Sequence, residues 1–469
     1  MANVRREDLQ MKIPALLHLS RLGYGYLPRA QLRRRDRTTN ILPEELRAAV
    51  ERINRVRISE ADTARLTAAL REELSADDLG RQFYGTIRNG WDGLRLIDFE
   101  HPENNRFQSA SELACGSGAG SFRPDITLYV NGLPLAMAEV KTAEKPRGLQ
   151  AEYDRMVARL RSEEGRRYLQ CAQIWAFSND AAADPNRLMM TDGAYFAAVT
   201  AENFPVYAPQ ERNRRGDRKL LPLPPGEERT ILEDNGILTL PRTRGFRREL
   251  SPGKTTHRML TALFLPERFL FLLRYGIRFI EEREADGEEV LTRRMLTTGQ
   301  LAALGTLAGK AERGFKNWTL PAGGAAGEQA ANASLIALLE DLVPGAEICW
   351  VSADERQRER DWADLAGCGV SCGRPEDAEQ KELTLITADR IPEICRREKG
   401  RQASAGRRVY ILPRAEVRYG QKQDYAAEIR RRDPEAILIS RATNLAQESM
   451  LPPDPNALYY SVAVTVQPI

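Results

Sequence analysis

The chain has 469 residues, of which 42% are hydrophobic and 29% are charged, and its formal net charge is only +3. This length predicts two or three domains, and the mixed charge excludes a polybasic chain that binds nucleic acid through its overall charge. No apolar stretch approaches the roughly 20 residues of a membrane span, and the N-terminus lacks a signal-peptide core, so we expect a cytoplasmic protein with no membrane contact.

The beginning of the chain is predicted to be helical. Apolar residues recur at helical spacing in Ile13–Tyr24, Pro43–Asn54 and Glu60–Leu74, which predicts three helices. A basic run, Arg33–Arg35, lies between the first two. It is either a patch that contacts phosphate groups or a solvated loop, and we favour the solvated loop.

A β-hairpin is predicted next. Ile126–Val130 is rich in β-branched and aromatic residues, and Leu135–Lys141 is a second apolar run. Between them, Asn131-Gly132 is a strong signal for a two-residue turn. The two runs are therefore expected to pair as antiparallel strands.

Three charged residues of this hairpin are candidates for catalysis. Side chains alternate along a strand, so Glu139 and Lys141 project from one face, and the twist of the hairpin brings Asp125 beside Glu139. Two carboxylates can bind Mg²⁺ next to a phosphodiester, and a lysine can orient water or stabilise developing negative charge. The alternative is an edge hairpin whose charges are ordinary solvated residues.

Three stretches around this hairpin resemble one protein family. They are R-P-D-I-T-L-Y-V-N-G-L-P-L-A-M-A-E-V-K at residues 123–141, L-I-D-F-E-H-P-E-N-N at 96–105 and G-L-Q-A-E-Y-D-R-M at 148–156. They look like the nuclease region of the restriction (R) subunit of type I restriction-modification enzymes, in the PD-(D/E)xK nuclease superfamily. The resemblance implies a Mg²⁺-dependent endonuclease in which Asp125 and Glu139 bind the metal and Lys141 positions the attacking water.

The rest of the proposed nuclease region follows an α+β pattern. Apolar residues at helical spacing from Leu149 to Leu160 predict an amphipathic helix, and Ala172–Ser178 predicts another strand. In the resembled family, a glutamine and a tyrosine after the lysine support the DNA backbone or the lysine. Gln150 and Tyr153 are the candidates here, but their Q-x2-Y spacing differs from the common Q-x3-Y, and core packing is slightly favoured for Tyr153.

A polar connector, Pro209–Glu228, marks a domain boundary. Farther on, Ser251–His257 contains G-K-T, the ending of a phosphate-binding loop. No apolar strand precedes this segment and no glycine stands at the required upstream spacing, so we reject that interpretation. It resembles instead the family's linker before a helix, predicted at Arg258–Tyr275, in which Phe269–Leu273 forms a buried core.

The second half of the chain reads as alternating helices and short strands, which predicts a parallel α/β sheet. It resembles the first RecA-like domain of the family's DNA translocase. The closest cysteine pair there, Cys368 and Cys372, has no histidines nearby, so we expect reduced thiols and no zinc site. The predicted strands are Glu347–Val351, Leu383–Thr387, Val409–Leu412, Ala436–Ile439 and Val462–Val466.

The motifs of an ATPase are degenerate in this half. When Trp318 is matched to the family's tryptophan, Gly324 is followed by Ala325 and Ala326 where lysine and serine or threonine belong. The strand that should end in D-E-A-H is followed by S-R-A-T, beginning Ser440-Arg441, and T-V-Q-P at 465–468 stands where relatives carry T-G-T-P. We therefore expect ATP binding and hydrolysis to be lost.

These observations predict an α/β chain with a PD-(D/E)xK nuclease-like α+β domain followed by a single RecA-like parallel domain. The predicted boundaries are 1–82 for a helical part, 83–208 for the nuclease, 209–300 for a linker and helical connector, and 301–469 for the RecA-like domain. The resemblance implies Mg²⁺ as cofactor, double-stranded DNA as substrate, and the specificity and methylation subunits of a restriction system as partners. The alternatives are a non-catalytic DNA-binding or assembly module of a defence complex, and a remnant of a decayed gene.

Overall fold

The computed structural model describes residues 7–116, 121–142, 148–181, 194–197, 220–237, 239–240, 242–283, 287–311, 317–321, 328–377, 382–396, 407–413 and 425–442. The chain divides into two compact units, Met1–Arg274 and Tyr275–Ile469. Both contain helices and strands, so the fold is mixed α/β. No helix within the described ranges is long and apolar enough to cross a membrane.

Helices form the beginning of the first unit and confirm the three predicted there. The first grows out of a π-helical turn, Asp8–Lys12, and ends at Gly23, whose φ of 107° is the left-handed conformation typical of a helix end. The third begins at a reciprocal cap between Ser59 and Asp62. The helices are α1 (Ile13–Leu22), α2 (Pro43–Asn54), α3 (Glu60–Glu73) and α4 (Arg81–Asn89).

The basic run at Arg33–Arg35 is largely exposed to solvent, as favoured by the sequence, but it is not a loop throughout. Its first two residues belong to a 3-10 helix, Arg29–Arg34. Arg34 pairs with Glu44 at 2.8 Å, and Arg35 donates to the side-chain oxygen of Asn40 at 2.9 Å. Local hydrogen bonds thus order two of the three arginines.

A six-stranded mixed sheet is the centre of the first unit. Its strand order follows the chain, with parallel pairing between its first two strands and again between the fourth and fifth, and antiparallel pairing elsewhere. The strands are β1 (Gly25–Tyr26), β2 (Phe107–Ser111), β3 (Ile126–Val130), β4 (Leu133–Val140), β5 (Ile174–Ser178) and β6 (Ala194–Ala197). The predicted hairpin is β3–β4, and both strands are internal to the sheet, which rules out the edge-hairpin alternative.

The hairpin has the two-residue turn that was predicted, and β4 begins at Leu133, two residues before the predicted start of the second strand. Asn131 and Gly132 both have positive φ, 55° and 80°, as a two-residue turn between twisted strands requires. Pro134, which has no N–H to donate, is accommodated where the β3–β4 register shifts between Leu128 and Tyr129.

Replacing Gly132 with alanine should lower the free energy of unfolding by about 1 to 3 kcal/mol. A methyl group there would combine an unfavourable φ with a position 2.8 Å from the carbonyl oxygen of Leu42, just before α2. Gly93 is the matched control, because its φ of 76° is similar but a methyl group on it meets nothing within 4 Å. The free energy of unfolding is measured in urea. Equal losses of this free energy for Gly132→Ala and Gly93→Ala would contradict a role for the close approach to Leu42.

Two helices cover one face of this sheet and close the core. They are α5 (Gly148–Leu160), which was predicted, and α6 (Glu163–Cys171). Apolar residues of α5, including Leu149 and Met156, pack with Trp175 and Phe177 of β5, and all four side chains are buried. This packing fixes the side of α5 that faces the sheet.

The remaining helices of the first unit correct one prediction. They are α7 (Glu227–Asp234), α8 (Arg244–Glu249), α9 (Thr255–Phe264) and α10 (Pro266–Tyr275). The continuous helix predicted over Arg258–Tyr275 is wrong, because Leu265 is extended in ψ at 129° and Pro266 starts a new helix. Proline disfavours helical geometry in the residue before it and cannot donate the backbone hydrogen bond that would continue α9. Phe269–Leu273 does form part of the core, as predicted.

Two buried histidines stack between α1 and α9. The rings of His18 and His257 lie 4.5 Å apart and nearly parallel. His18 is within 2.8 Å of the Thr261 hydroxyl, and His257 donates to the carbonyl of Ser251 at 2.7 Å. Burial is the main cause that lowers the pKa of both rings, with the charge of His257 adding to the effect on His18.

Acid should therefore destabilise the fold through this pair. The folded state keeps both rings neutral, whereas an unfolded histidine takes up a proton below about pH 6.5. The contribution of the pair to the free energy of unfolding is therefore fully present above that pH and is lost as the pH falls below it. The slope is up to about 1.4 kcal/mol per pH unit for each ring. Urea unfolding between pH 5 and 8 should show a flatter acid limb for His18→Gln. The same change at His101, whose side chain is 60% exposed, should leave the limb unchanged; equal slopes for both variants would contradict the assignment.

The second unit contains an unpredicted antiparallel hairpin and a parallel sheet. The hairpin is β7 (Ile277–Arg283) with β8 (Glu289–Met295). The sheet has the order β11-β12-β10-β13-β14-β9, and every pair is parallel. Its strands are β9 (Asn317–Pro321), β10 (Glu347–Ser352), β11 (Cys372–Gly373), β12 (Leu383–Thr387), β13 (Arg408–Leu412) and β14 (Ile437–Ala442).

The parallel sheet confirms four of the five strands predicted for the second half, and the fifth, Val462–Val466, lies outside the described residues. Helices precede or connect the strands, as parallel pairing requires. They are α11 (Thr298–Ala311), α12 (Glu328–Leu342), α13 (Glu355–Gly367), α14 (Ile391–Ile394) and α15 (Tyr425–Arg432). All six cysteines are free thiols, as predicted.

Candidate active site

The three candidate catalytic residues come together at one end of β3 and β4. Ile126 of β3 pairs with Ala138 of β4, so Asp125, just before β3, stands opposite Glu139. Lys141 follows the last residue of β4. The backbone N–H of Val140 donates to Asp125 Oδ2 at 2.9 Å, which fixes the orientation of that carboxylate.

Lys141 points back into the site that the two acids form. Its Nζ is 3.2 Å from Asp125 Oδ2 and 3.6 Å from Glu139 Oε2, and its side chain is only 11% exposed. The same-face placement inferred from strand alternation therefore produces direct contact. The catalytic roles assigned to these residues stay predictions.

Two further carboxylates in this site were missed by the sequence analysis. Glu152 of α5 lies 3.4 Å from Lys141 Nζ, and Glu7, just before the π-helical turn, lies 3.5 Å from it. Glu152 is buried on the side of α5 that also carries Leu149 and Met156, and an acid on an apolar helix face is a signal that could have identified it. Glu7 carries no comparable signal, because packing of the N-terminal segment brings it to Lys141.

The electrostatics of the site are dominated by negative charge. Glu139 is 3% exposed, and burial raises the pKa of its carboxyl well above the usual range. The nearby charge of Asp125, which is also in hydrogen-bonding contact with Glu139, raises it further, whereas Lys141 lowers it. Burial alone would lower the pKa of Lys141, but the surrounding carboxylates reverse this and raise it.

The donor atoms fit a hard divalent cation that keeps some of its own water. Glu139 Oε1 is buried and has no hydrogen-bond partner, and it belongs to a carboxylate in contact with that of Asp125. Among the described residues no group of three or more His, Cys, Asp or Glu side chains is arranged to hold a metal ion. A pair of carboxylates is a ligand set that suits Mg²⁺, which rarely takes a full set of protein ligands and usually keeps several waters.

The two supporting residues predicted on α5 lie in different surroundings. Gln150 donates to Asp154 one turn along the helix at 2.9 Å. Tyr153 is 9% exposed and packs in the apolar core, with its ring 6.0 Å from that of Phe177. Glu152, which lies between them on α5, pairs with Lys141, and the supporting role of Gln150 and Tyr153 stays a prediction.

Ser440 and Arg441, predicted to belong to a degenerate nucleotide site, lie on the strand next to β9. Ser440 is buried near the end of β14, and β14 runs parallel to β9, with Ser440 opposite Thr319 and Arg441 opposite Leu320. The carboxyl ends of the two strands therefore lie on the same side of the sheet, which is the side on which α/β proteins usually bind ligands. Gly324, Ala325 and Ala326 lie outside the described part of the chain.

A family match lies within the first unit. Residues 5–183 match the family described as the type I restriction enzyme R protein N terminus, and this segment contains Lys141 and the four carboxylates that surround it. The chain is also 32% identical over 147 residues to the type I restriction enzyme HindI endonuclease subunit of Haemophilus influenzae. That similarity covers 27% of this chain and 14% of the relative, so the chain spans only a small part of that protein.

Proposed function

We propose that this chain is a Mg²⁺-dependent DNA endonuclease of the restriction type, because residues 5–183 match the family described as the type I restriction enzyme R protein N terminus. The proposal places a PD-(D/E)xK nuclease centre in the first unit, at Asp125, Glu139 and Lys141. The substrate is double-stranded DNA, and the bond broken is a phosphodiester.

The observation that supports this proposal is the buried pair of carboxylates at the centre of the site, Asp125 and Glu139, one of whose oxygens has no hydrogen-bond partner. A buried carboxylate oxygen without a partner costs free energy unless a cation or a proton compensates it. Glu139 Oε1 is such an atom, and Asp125 is in contact with the same carboxyl group.

The charged residues of the site have different roles in the proposed reaction. Asp125 and Glu139 bind the metal, which when present polarises the phosphoryl oxygen and lowers the pKa of a bound water. Lys141 positions the attacking water and stabilises the negative charge that develops on the phosphate. Glu152 and Glu7 keep the ammonium group of Lys141 in place, because their carboxylates lie 3.4 and 3.5 Å from its Nζ. Glu152 belongs to α5 and Glu7 to the N-terminal segment.

The second unit is proposed to be a RecA-like domain that has lost its motor function. Its all-parallel sheet supports this assignment, because the two strands that would carry the nucleotide motifs are adjacent. The side chains that bind phosphate and magnesium in an ATPase are replaced here by alanine at 325 and 326 and by Ser440-Arg441. Cleavage is therefore proposed to be independent of ATP.

The proposed partners follow from the same family. A restriction enzyme needs a component that chooses the target and one that methylates it, and we propose that separate specificity and methylation subunits supply these functions. Co-purification of such subunits without any metal-dependent cleavage would favour the alternative of a non-catalytic assembly module.

The test is nicking of supercoiled plasmid DNA by the purified chain. With MgCl2 and without ATP, we expect conversion to the open-circular form, and with EDTA we expect none. Absence of cleavage by the wild-type chain with Mg²⁺ and Mn²⁺, in the presence or absence of ATP, would refute the proposed function.

A further inference from the structure

The backbone of Lys141 is fixed by the last residue of the neighbouring strand. β4 runs parallel to β5, and beyond the paired residues the N–H of Lys141 donates to the carbonyl of Ser178 at 2.9 Å. The position of Ser178 therefore sets the point from which the Lys141 side chain starts. A displacement of this point moves the ammonium group relative to the two acids.

Ser178 is in turn attached to the first residues of α9. Its hydroxyl lies 2.8 Å from that of Thr256, and both residues are buried. The Ser178 hydroxyl also accepts from the N–H of Asp180 at 3.2 Å. The end of β5 is thereby held in contact with a helix that is distant in sequence.

Asp180 completes this contact from a backbone conformation that ordinary residues rarely adopt. Its φ is +62°, in the left-handed region, which an aspartate tolerates better than most residues but not freely. Its carboxylate accepts from the backbone N–H of Thr256 at 3.0 Å and pairs with Lys254 Nζ at 2.8 Å. Lys254 also pairs with Glu249 at the end of α8, so it joins two elements to the turn.

We propose that Lys254 and Asp180 are positioning residues for the nuclease centre, which hold the end of β5 so that Lys141 meets Asp125 and Glu139. This inference rests on the proposed function. The segment Ser251–His257, whose G-K-T resembles the ending of a phosphate-binding loop, thus binds the carboxylate of Asp180 through Lys254 and the N–H of Thr256. A cavity of about 220 Å³ lined by Thr142, Asp180 and Lys254 lies beside the contact, so the backbone after Lys141 has room to shift when the contact is lost.

Replacing Lys254 with methionine tests this. We expect kcat for plasmid nicking to fall about 10- to 100-fold with KM for DNA unchanged within about twofold, since small misplacements of a catalytic group have effects of that size. Lys254→Arg, which can still pair with both acids, should retain kcat within a few-fold. Arg258→Met is the control and should behave like wild type, because Arg258 is a half-buried cation in the first turn of α9, close to Lys254 in sequence.

Hydrogen exchange of the Lys141 amide gives a second measurement that does not depend on cleavage. Peptides that cover 136–142 should exchange faster in Lys254→Met, whereas peptides that cover β3 should not change. Thr256→Val removes the hydroxyl contact with Ser178 and should have the same effects if Lys254→Met does not fold.

Several results would overturn the inference. One is a wild-type kcat in Lys254→Met, and another is a loss of kcat without faster exchange at the Lys141 amide. A third is a raised KM for DNA with unchanged kcat, which would mean that Lys254 binds DNA directly. If the wild-type chain does not cleave DNA at all, the proposed function fails, but faster exchange in Lys254→Met would still support the structural link.

Discussion

Glu139→Gln is expected to reduce Mg²⁺-dependent DNA cleavage by roughly 10³-fold while the protein itself becomes more stable at neutral pH. Most substitutions that abolish an activity also weaken the fold or leave it unchanged. The opposite sign of the two effects follows from the position of Glu139, which is 3% exposed and next to Asp125.

The gain in stability arises because glutamine imitates the protonated acid. The pKa of Glu139 is raised in the folded state, chiefly by burial and then by the charge of Asp125. An unfolded glutamate loses its proton above about pH 4.3, whereas the folded one retains it or bears the cost of a buried charge. The contribution of this group to stability is therefore complete below that pH and is lost as the pH rises.

Urea unfolding in EDTA at pH 5 and pH 8 measures this effect. The midpoint of Glu139→Gln should exceed that of the wild type at pH 8 and approach it at pH 5. Saturating Mg²⁺ should stabilise the wild type, since it binds the folded state, and should have little effect on the variant.

Glu163→Gln is the matched control, because its carboxylate is 84% exposed on α6 and should influence neither cleavage nor stability appreciably. Wild-type cleavage rates in Glu139→Gln would remove this residue from the proposed metal site. A variant that is inactive and also less stable at pH 8 would indicate that Glu139 acts as a structural ion pair.

Local sequence signals were sufficient for the part of the site that lies on the hairpin. The Asn131-Gly132 turn set the register of β3 and β4, and strand alternation then placed Asp125, Glu139 and Lys141 together. The same kind of signal predicted α5 and the parallel strands of the second unit. In each case the residues that determine the structure are neighbours in the sequence.

Contacts between distant segments could not be predicted in this way. Glu7 and Glu152 reach Lys141 only because the N-terminal segment and α5 pack against the sheet. The hairpin β7–β8 was overlooked because arginine and glutamate interrupt its apolar pattern. The break at Pro266 is different, since proline is a local signal, and its effect on the backbone outweighs the helical spacing of the apolar residues around it.

Lys141→Met should have the second large effect, a loss of about 3 to 5 kcal/mol in the free energy of unfolding when no metal is present. The ammonium of Lys141 is the cation shared by the carboxylates of Asp125, Glu139, Glu152 and Glu7, at 3.2 to 3.6 Å. Methionine keeps most of the volume of the side chain but leaves these acids facing one another. Some of them must then take up protons, so the loss should decrease at low pH.

Magnesium should restore much of this stability without restoring cleavage. A divalent cation can compensate Asp125 and Glu139 in place of the ammonium, and a ligand at 100 times its Kd stabilises a protein by about 2.7 kcal/mol. Cleavage should stay low because the group that positions the attacking water is absent. Thermal unfolding with a titration of MgCl2 measures the first effect, and plasmid nicking measures the second.

Lys12 provides the matched control for this experiment. It is also a buried lysine, 3% exposed, and it pairs with Asp8 at 2.7 Å and with Glu112, but with neither Asp125 nor Glu139. Lys12→Met should therefore destabilise the fold and gain no more from Mg²⁺ than the wild type does. Equal rescue of both variants would mean that Mg²⁺ acts on the protein generally and not at the acids of the hairpin, and the metal site would have to be sought elsewhere.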